Sequence, residues 1–199
     1  MEYQEYLKEN KEIYNDLLLF IEHESGDNSY NYKNLIKNLQ NQKILNNPEW
    51  VTLFLHLLVQ ISNDHHRLPG FFSRIEKVLQ FFLNYIKLTF TNIEIFDLFE
   101  SNKLLILYLI EQQIIKVDKN IVYRMYFRSQ KTKTKYHYFF YPEIEPYSKI
   151  EELKNIKQEL LDEDPNILIN FDKNRKIGEN ENYFCEMIRN DSIDTFICK

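Results

Sequence analysis

Apolar residues recur three or four positions apart along most of the chain, which is the spacing of one face of an α-helix. The positions that define the first three predicted helices are Tyr3, Tyr6, Leu7, Ile13, Tyr14, Leu17, Leu18 and Ile21, then Tyr32, Leu35, Ile36 and Leu39, then Trp50, Leu53, Phe54, Leu57 and Leu58. The strongest pattern follows at Phe71, Phe72, Ile75, Val78, Leu79, Phe82, Leu83 and Ile86. Because no alternation of period two lasts long enough to build a sheet, the pattern predicts an all-α fold.

Several helix boundaries are marked by residues that suit helix ends. Gly26 indicates the end of the first helix. Asn47 followed by Pro48 provides an N-cap and a first-turn proline for the third. Thr91 precedes Glu94 by three positions, which is the arrangement of a capping box and predicts that another helix begins there.

The second half of the chain predicts shorter helices. Ser101 and Asn102 interrupt an apolar stretch, so we expect one helix before them and one after. The elements expected beyond this turn are a helix at residues 104–114, a short helix around 122–125, an extended or helical buried segment at 136–141, a helix at 148–162 and a helical pair from residue 180 onward.

Two segments share one pattern of apolar helix, two-residue polar turn and apolar helix. They are FDLFESNKLLILYLIEQQII at 96–115, and NYFCEMIRNDSIDTFI at 182–197 with FDKNRK and IGENE before it. Both resemble the helical half of an ankyrin repeat, although the Thr-Pro-Leu-His opening and the packing alanines of that repeat are missing and the separation is not a multiple of 33. With the aromatic YFFYPEIEPY at 138–147, the chain resembles the helical N-terminal region of a protist family of ankyrin-repeat proteins.

This resemblance implies a protein-protein interaction or scaffold domain, with no catalytic residues to transfer. It implies stacked helical pairs that grade into a degenerate ankyrin-like solenoid toward the C-terminus, with the long repeat array following this region. We therefore predict a helical domain at 1–163, a connector at 164–178 and a first or degenerate ankyrin-like pair at 179–199. A terminal repeat exposes apolar surface, so partner contacts are expected at Ile188, Ile193, Phe196 and Ile197.

Composition limits the alternatives. The 199 residues are 44% apolar and 28% charged with a formal net charge of −5, which describes an ordinary globular protein rather than a general polyanion binder. The chain contains three glycines and no alanine, and no glycine cluster that could hold a phosphate. No stretch reaches the length of a membrane helix, no secretory signal begins the chain, and only two cysteines occur, so we expect a cytoplasmic protein with no membrane association.

The residues that could carry chemistry favour structural roles. His56, His65 and His66 lack the further ligands of a zinc site, and we expect the two in the Asn-Asp-His-His string to lie in an exposed loop. Cys185 falls on the apolar side of a predicted helix, which indicates a buried thiol. The carboxylate pairs Glu143/Glu145 and Glu151/Glu152 lie in a charged stretch and are expected to be solvated. We predict no metal, no cofactor and no enzymatic activity.

One segment supports an alternative function. Residues 119–141 combine cations with aromatic rings and contain no acidic residue after Asp118, a combination that single-stranded nucleic acid binding uses. The cations of this anionic-ligand patch are Arg124, Arg128, Lys131, Lys133 and Lys135, beside Lys119. Against this alternative, the acidic stretch 143–164 could pair with the patch within the chain, and rings at this density also fill cores when alanine and glycine are scarce.

Overall fold

The computed structural model describes residues 2–22, 29–41, 46–64, 70–132, 136–150 and 153–177. Within these ranges every regular element is a helix and there is no β-strand, so the predicted all-α class is confirmed. The chain divides into two compact units, Met1–Phe90 and Thr91–Lys199. This division falls inside the range 1–163 that the sequence analysis assigns to one domain, while the boundaries predicted at 163 and 178 stay predictions.

The described residues of the first unit form four helices, as the apolar spacing predicts. They are α1 Glu2–Glu22, α2 Ser29–Asn41, α3 Pro48–Asp64 and α4 Phe71–Thr89. Helix α1 packs on α2 and α4, and α3 packs on α4. The apolar stripes face inward, because Leu17, Leu35, Leu58 and Phe82 are fully buried. Gly26, expected to end α1, lies outside the described residues.

The starts of α3 and α4 are explained by the residues that precede them. The Asn47 side-chain oxygen accepts hydrogen bonds from the backbone amides of Glu49 at 3.0 Å and Trp50 at 3.4 Å, which confirms the predicted N-cap of α3. Gly70 precedes α4 with φ 65°, a left-handed conformation that favours glycine, and no side chain caps this helix.

The second unit contains seven helices among its described residues. They are α5 Asn92–Phe99, α6 Lys103–Glu111, α7 Lys119–Thr132, α8 Tyr136–Phe139, α9 Tyr141–Ile144, α10 Ile156–Glu163 and α11 Phe171–Ile177, with a 3-10 turn at Glu145–Tyr147. The capping box is confirmed: the Thr91 oxygen accepts from the Glu94 amide at 3.3 Å, and the Glu94 carboxylate accepts from the Thr91 amide at 2.8 Å. The interruption at Ser101 and Asn102 is confirmed too, with the Asn102 side chain capping α6.

The loop after α6 returns to the start of α5. The side-chain amide of Asn92 donates to the Lys116 carbonyl at 2.7 Å, and its oxygen accepts from the Lys116 backbone amide at 2.9 Å. Asp118 then caps α7 by accepting from the Ile121 amide at 3.0 Å. The starts of α5 and α7 therefore lie side by side.

Helices α5 and α7 run parallel along their length. Arg124 Nη1 lies 3.3 Å from a carboxylate oxygen of Asp97, and Arg128 Nη1 lies 3.1 Å from one of Glu100. The number of positions between the two residues of a contact is 26 for Asn92 and Asp118, 27 for Asp97 and Arg124, and 28 for Glu100 and Arg128. Because this separation is nearly constant, the two helices advance in the same direction, as successive helical repeats do.

Helix α6 ends earlier than residue 114, where the sequence pattern placed its end. The last helical residue is Glu111, and Gln113 adopts a left-handed conformation with φ 57°. The amides of Ile114 and Ile115 both donate to the Leu109 carbonyl, at 2.9 Å and 3.1 Å, which satisfies the helix end. Apolar spacing continues past the turn because Ile115 is buried after the chain has changed direction.

We expect Gln113→Gly to raise the free energy of unfolding by about 0.5 kcal/mol or more, as measured by urea denaturation. Relief of a left-handed conformation, about 1–2 kcal/mol for a residue with a Cβ, exceeds the extra chain entropy of glycine of about 0.5–1 kcal/mol. Gln112→Gly is the matched control, because Gln112 has φ −78° and gains nothing. Equal losses of stability in both variants would contradict the prediction.

The aromatic segment 136–141 is helical and forms the core of the second unit. Tyr136, Phe139 and Phe140 are fully buried, and Tyr141 is nearly so. Phe139 and Phe140 meet edge to face with centroids 4.9 Å apart, and Tyr136 meets the α5 ring of Phe96 at 6.3 Å. Of the two conformations that the sequence left open, extended or helical, the structure has the helical one.

The segment after Pro146 differs from the predicted helix at 148–162. The amides of Ser148, Ile150 and Leu153 donate to carbonyls three residues earlier, so the chain forms successive tight turns there, and regular helix begins only at α10. The apolar spacing predicted too long a helix because Leu153, Ile156 and Leu160 are all buried, although Leu153 lies outside α10. Glu151 and Glu152 lie outside the described residues.

Helix α11 lies within the range 164–178 that was expected to be a connector. Its sequence FDKNRKI has few apolar residues and therefore no apolar spacing that marks a helix, but Phe171 and Arg175, four positions apart, are both buried. The Arg175 guanidinium binds both carboxylate oxygens of Glu143, at 2.7 Å and 2.8 Å, and donates to the Phe139 carbonyl at 3.1 Å. It also lies over the rings of Phe139 and Phe171, within 5.8 Å and 5.6 Å of their centroids.

Candidate functional site

Helix α7 presents an exposed aromatic pair. Tyr123 is 36% exposed and Phe127 60% exposed, four positions apart on the outer side of the helix. Their rings stack with centroids 6.2 Å apart and planes inclined by 27°, and Phe127 also touches the Tyr126 ring at 6.0 Å. The side chains are therefore held in place by neighbouring rings while much of their apolar surface remains in water.

Charged side chains flank this aromatic pair in two rows. Arg124 and Arg128 lie beside the rings on α7, and they are held by Asp97 of α5 and by Glu100, which follows α5, through the ion pairs described above. All four side chains are partly exposed, so each pair contributes only about 0–1 kcal/mol to stability. We define the α7 face as Tyr123, Phe127, Arg124, Arg128, Asp97 and Glu100.

Two cations of the basic segment form ion pairs at α5. Arg124 binds Asp97 of α5, and Arg128 binds Glu100, the residue that follows α5. The reason is the parallel packing of α5 on α7, which no local pattern indicates. Lys131 belongs to α7, but its side chain, together with Lys133 and Lys135, lies outside the described residues.

Most rings of the segment 119–141 serve the core. The rings at 136, 139, 140 and 141 are buried and cannot stack on a nucleic acid base in this conformation. Tyr126 and Tyr138 are partly buried, and the Tyr138 hydroxyl donates to Glu159 at 2.8 Å. Burial, followed by this hydrogen bond, raises the pKa of the Tyr138 phenol above its usual value. Only Tyr123 and Phe127 remain as exposed rings in this segment.

Three buried polar side chains in the second unit escaped the sequence analysis. Lys103, at the start of α6, is almost fully buried with its ammonium 5.4 Å from the centre of the Tyr136 ring. His137 is buried against Tyr126, and burial lowers its pKa to about 4, so it is neutral at pH 7. Arg175 is 3% exposed. The sequence signal that could have indicated such a buried group was Lys103, a cation at the start of the otherwise apolar helix α6.

The carboxylates considered for acid-base chemistry have structural partners. Glu143 was expected to be solvated, but the structure places it in the partly buried pair with Arg175. Glu145 is exposed and accepts a hydrogen bond from the Tyr141 hydroxyl, and burial together with this bond raises the pKa of that phenol. These contacts fix helices α9 and α11 rather than form an open cleft.

The remaining candidate residues are mostly beyond what the structure describes. His56 is exposed on α3. His65, His66 and Cys185 lie outside the described residues, as do the expected partner contacts Ile188, Ile193, Phe196 and Ile197 and the helical pair at 182–197. In the part of the chain that is described, no three His, Cys, Asp or Glu side chains come together as metal ligands would.

Two further observations bear on the class of protein. None of the described helices combines the length and the apolar character that crossing a membrane requires. Comparisons of the chain with protein-family models, with curated proteins and with solved structures gave no match.

Proposed function

We propose that this chain is a protein-binding domain without catalytic activity, and that the α7 face is its binding surface. The observation that carries the proposal is the stacked and exposed pair Tyr123 and Phe127, with Arg124 and Arg128 beside it. Aromatic residues and arginine are enriched at the centres of protein interfaces, where they account for most of the binding energy. Side chains already held in place lose little conformational entropy on binding.

The charge pattern favours a protein over nucleic acid. Asp97 and Glu100 occupy the same surface as the arginines and would repel phosphates that approach Arg124 and Arg128. Of the rings in the segment 119–141, Tyr123 and Phe127 are exposed enough to stack on bases, and these two already stack on each other. Nucleic acid binding through Arg124, Arg128, Lys131, Lys133 and Lys135 remains the alternative, to be tested beside the first.

The wider setting that we propose is a cytoplasmic scaffold related to the helical N-terminal region of ankyrin-repeat proteins. This proposal is supported by the order of elements in the second unit, where helix α5, a tight turn, helix α6 and a loop that returns to the start of α5 are followed by α7, which is parallel to α5. Helical repeats stack in this way, each unit burying its apolar face on the next. The offset of about 27 residues is shorter than the 33 of an ankyrin repeat, so the relationship is one of a degenerate repeat.

The test is affinity capture with the tagged full chain and with Phe127→Glu, quantified by mass spectrometry. We expect the proteins that bind the wild type to be depleted by about tenfold or more in the variant, because a charge replaces a central apolar contact. Ile169→Glu is the matched control: Ile169 lies in the same unit and is also 60% exposed, but outside the α7 face.

Two outcomes would contradict the proposal. Equal depletion by both substitutions would show that any exposed charge disturbs binding. If nuclease treatment removes the captured material and steep salt dependence disappears when Lys131, Lys133 and Lys135 are changed together, the nucleic acid alternative replaces it.

A further inference from the structure

We draw no further inference here: the strongest candidate, the exposed ring pair Tyr123 and Phe127 on the outer side of helix α7, carries none beyond the proposed function, because nothing in the structure shows what covers it.

Discussion

Arg175→Ala is expected to lower the free energy of unfolding by about 3–5 kcal/mol, measured by urea denaturation of the full chain. Arg175 is buried, and its guanidinium is the partner of both Glu143 oxygens and of the Phe139 carbonyl. Removing it leaves a partly buried carboxylate without its cation, and a desolvated charge costs much more than the attraction lost on the surface. The contacts of α11 with Phe139 and Phe171 weaken at the same time.

Two comparisons isolate the buried ion pair as the cause. Lys176→Ala, one residue away on α11, breaks an exposed ion pair with Glu111 and should cost less than about 1 kcal/mol. The double variant Arg175→Met with Glu143→Leu should be more stable than Arg175→Met alone, because it removes the unpaired carboxylate as well. If the double variant is the less stable, packing around α11 rather than charge explains the effect.

Phe82→Ala is expected to destabilise the first unit by about 3–5 kcal/mol, because it removes a fully buried ring from the centre of the helical packing. Phe82 meets the Phe54 ring of α3 at 5.0 Å and the Phe81 ring edge to face at 5.1 Å. The deletion therefore costs both apolar burial and aromatic contacts between two helices. Thermal denaturation followed by circular dichroism measures the change.

Leu88→Ala is the control for this substitution on the same helix. Leu88 is 87% exposed at the end of α4, so its truncation should change stability by less than about 0.5 kcal/mol. Similar destabilisation by both variants would contradict the described orientation of α4, since the two positions would then be equally buried.

Local patterns predicted the helices of the first unit and several of their ends. The spacing from Phe71 to Ile86 placed α4 correctly, and the short-range chemistry at Asn47, Thr91 and Glu94 gave caps that the structure contains. These predictions succeeded because apolar periodicity and capping depend on residues only a few positions apart. The same reasoning failed for the helix expected to begin at 148, because the buried Leu153 continues the helical spacing although regular helix begins only at Ile156.

The candidate surface depended on contacts that sequence spacing does not contain. The segment 119–141 was singled out for its cations and rings, but the sequence could not tell Phe127, which is exposed, from Phe139, which is buried. The parallel register of α5 and α7 arises from contacts 26 to 28 residues apart, and it decides that the arginines meet Asp97 and Glu100. Burial of Arg175 is likewise a consequence of tertiary packing.

The central claim, that the α7 face binds protein, is tested most directly by photocrosslinking at position 127. A photoactivatable phenylalanine derivative is incorporated in place of Phe127, and in a parallel sample in place of Ile169 as the equally exposed control. The account predicts a protein partner crosslinked at position 127, and none at position 169. No crosslinked protein at position 127, or equal crosslinking at both positions, would contradict it.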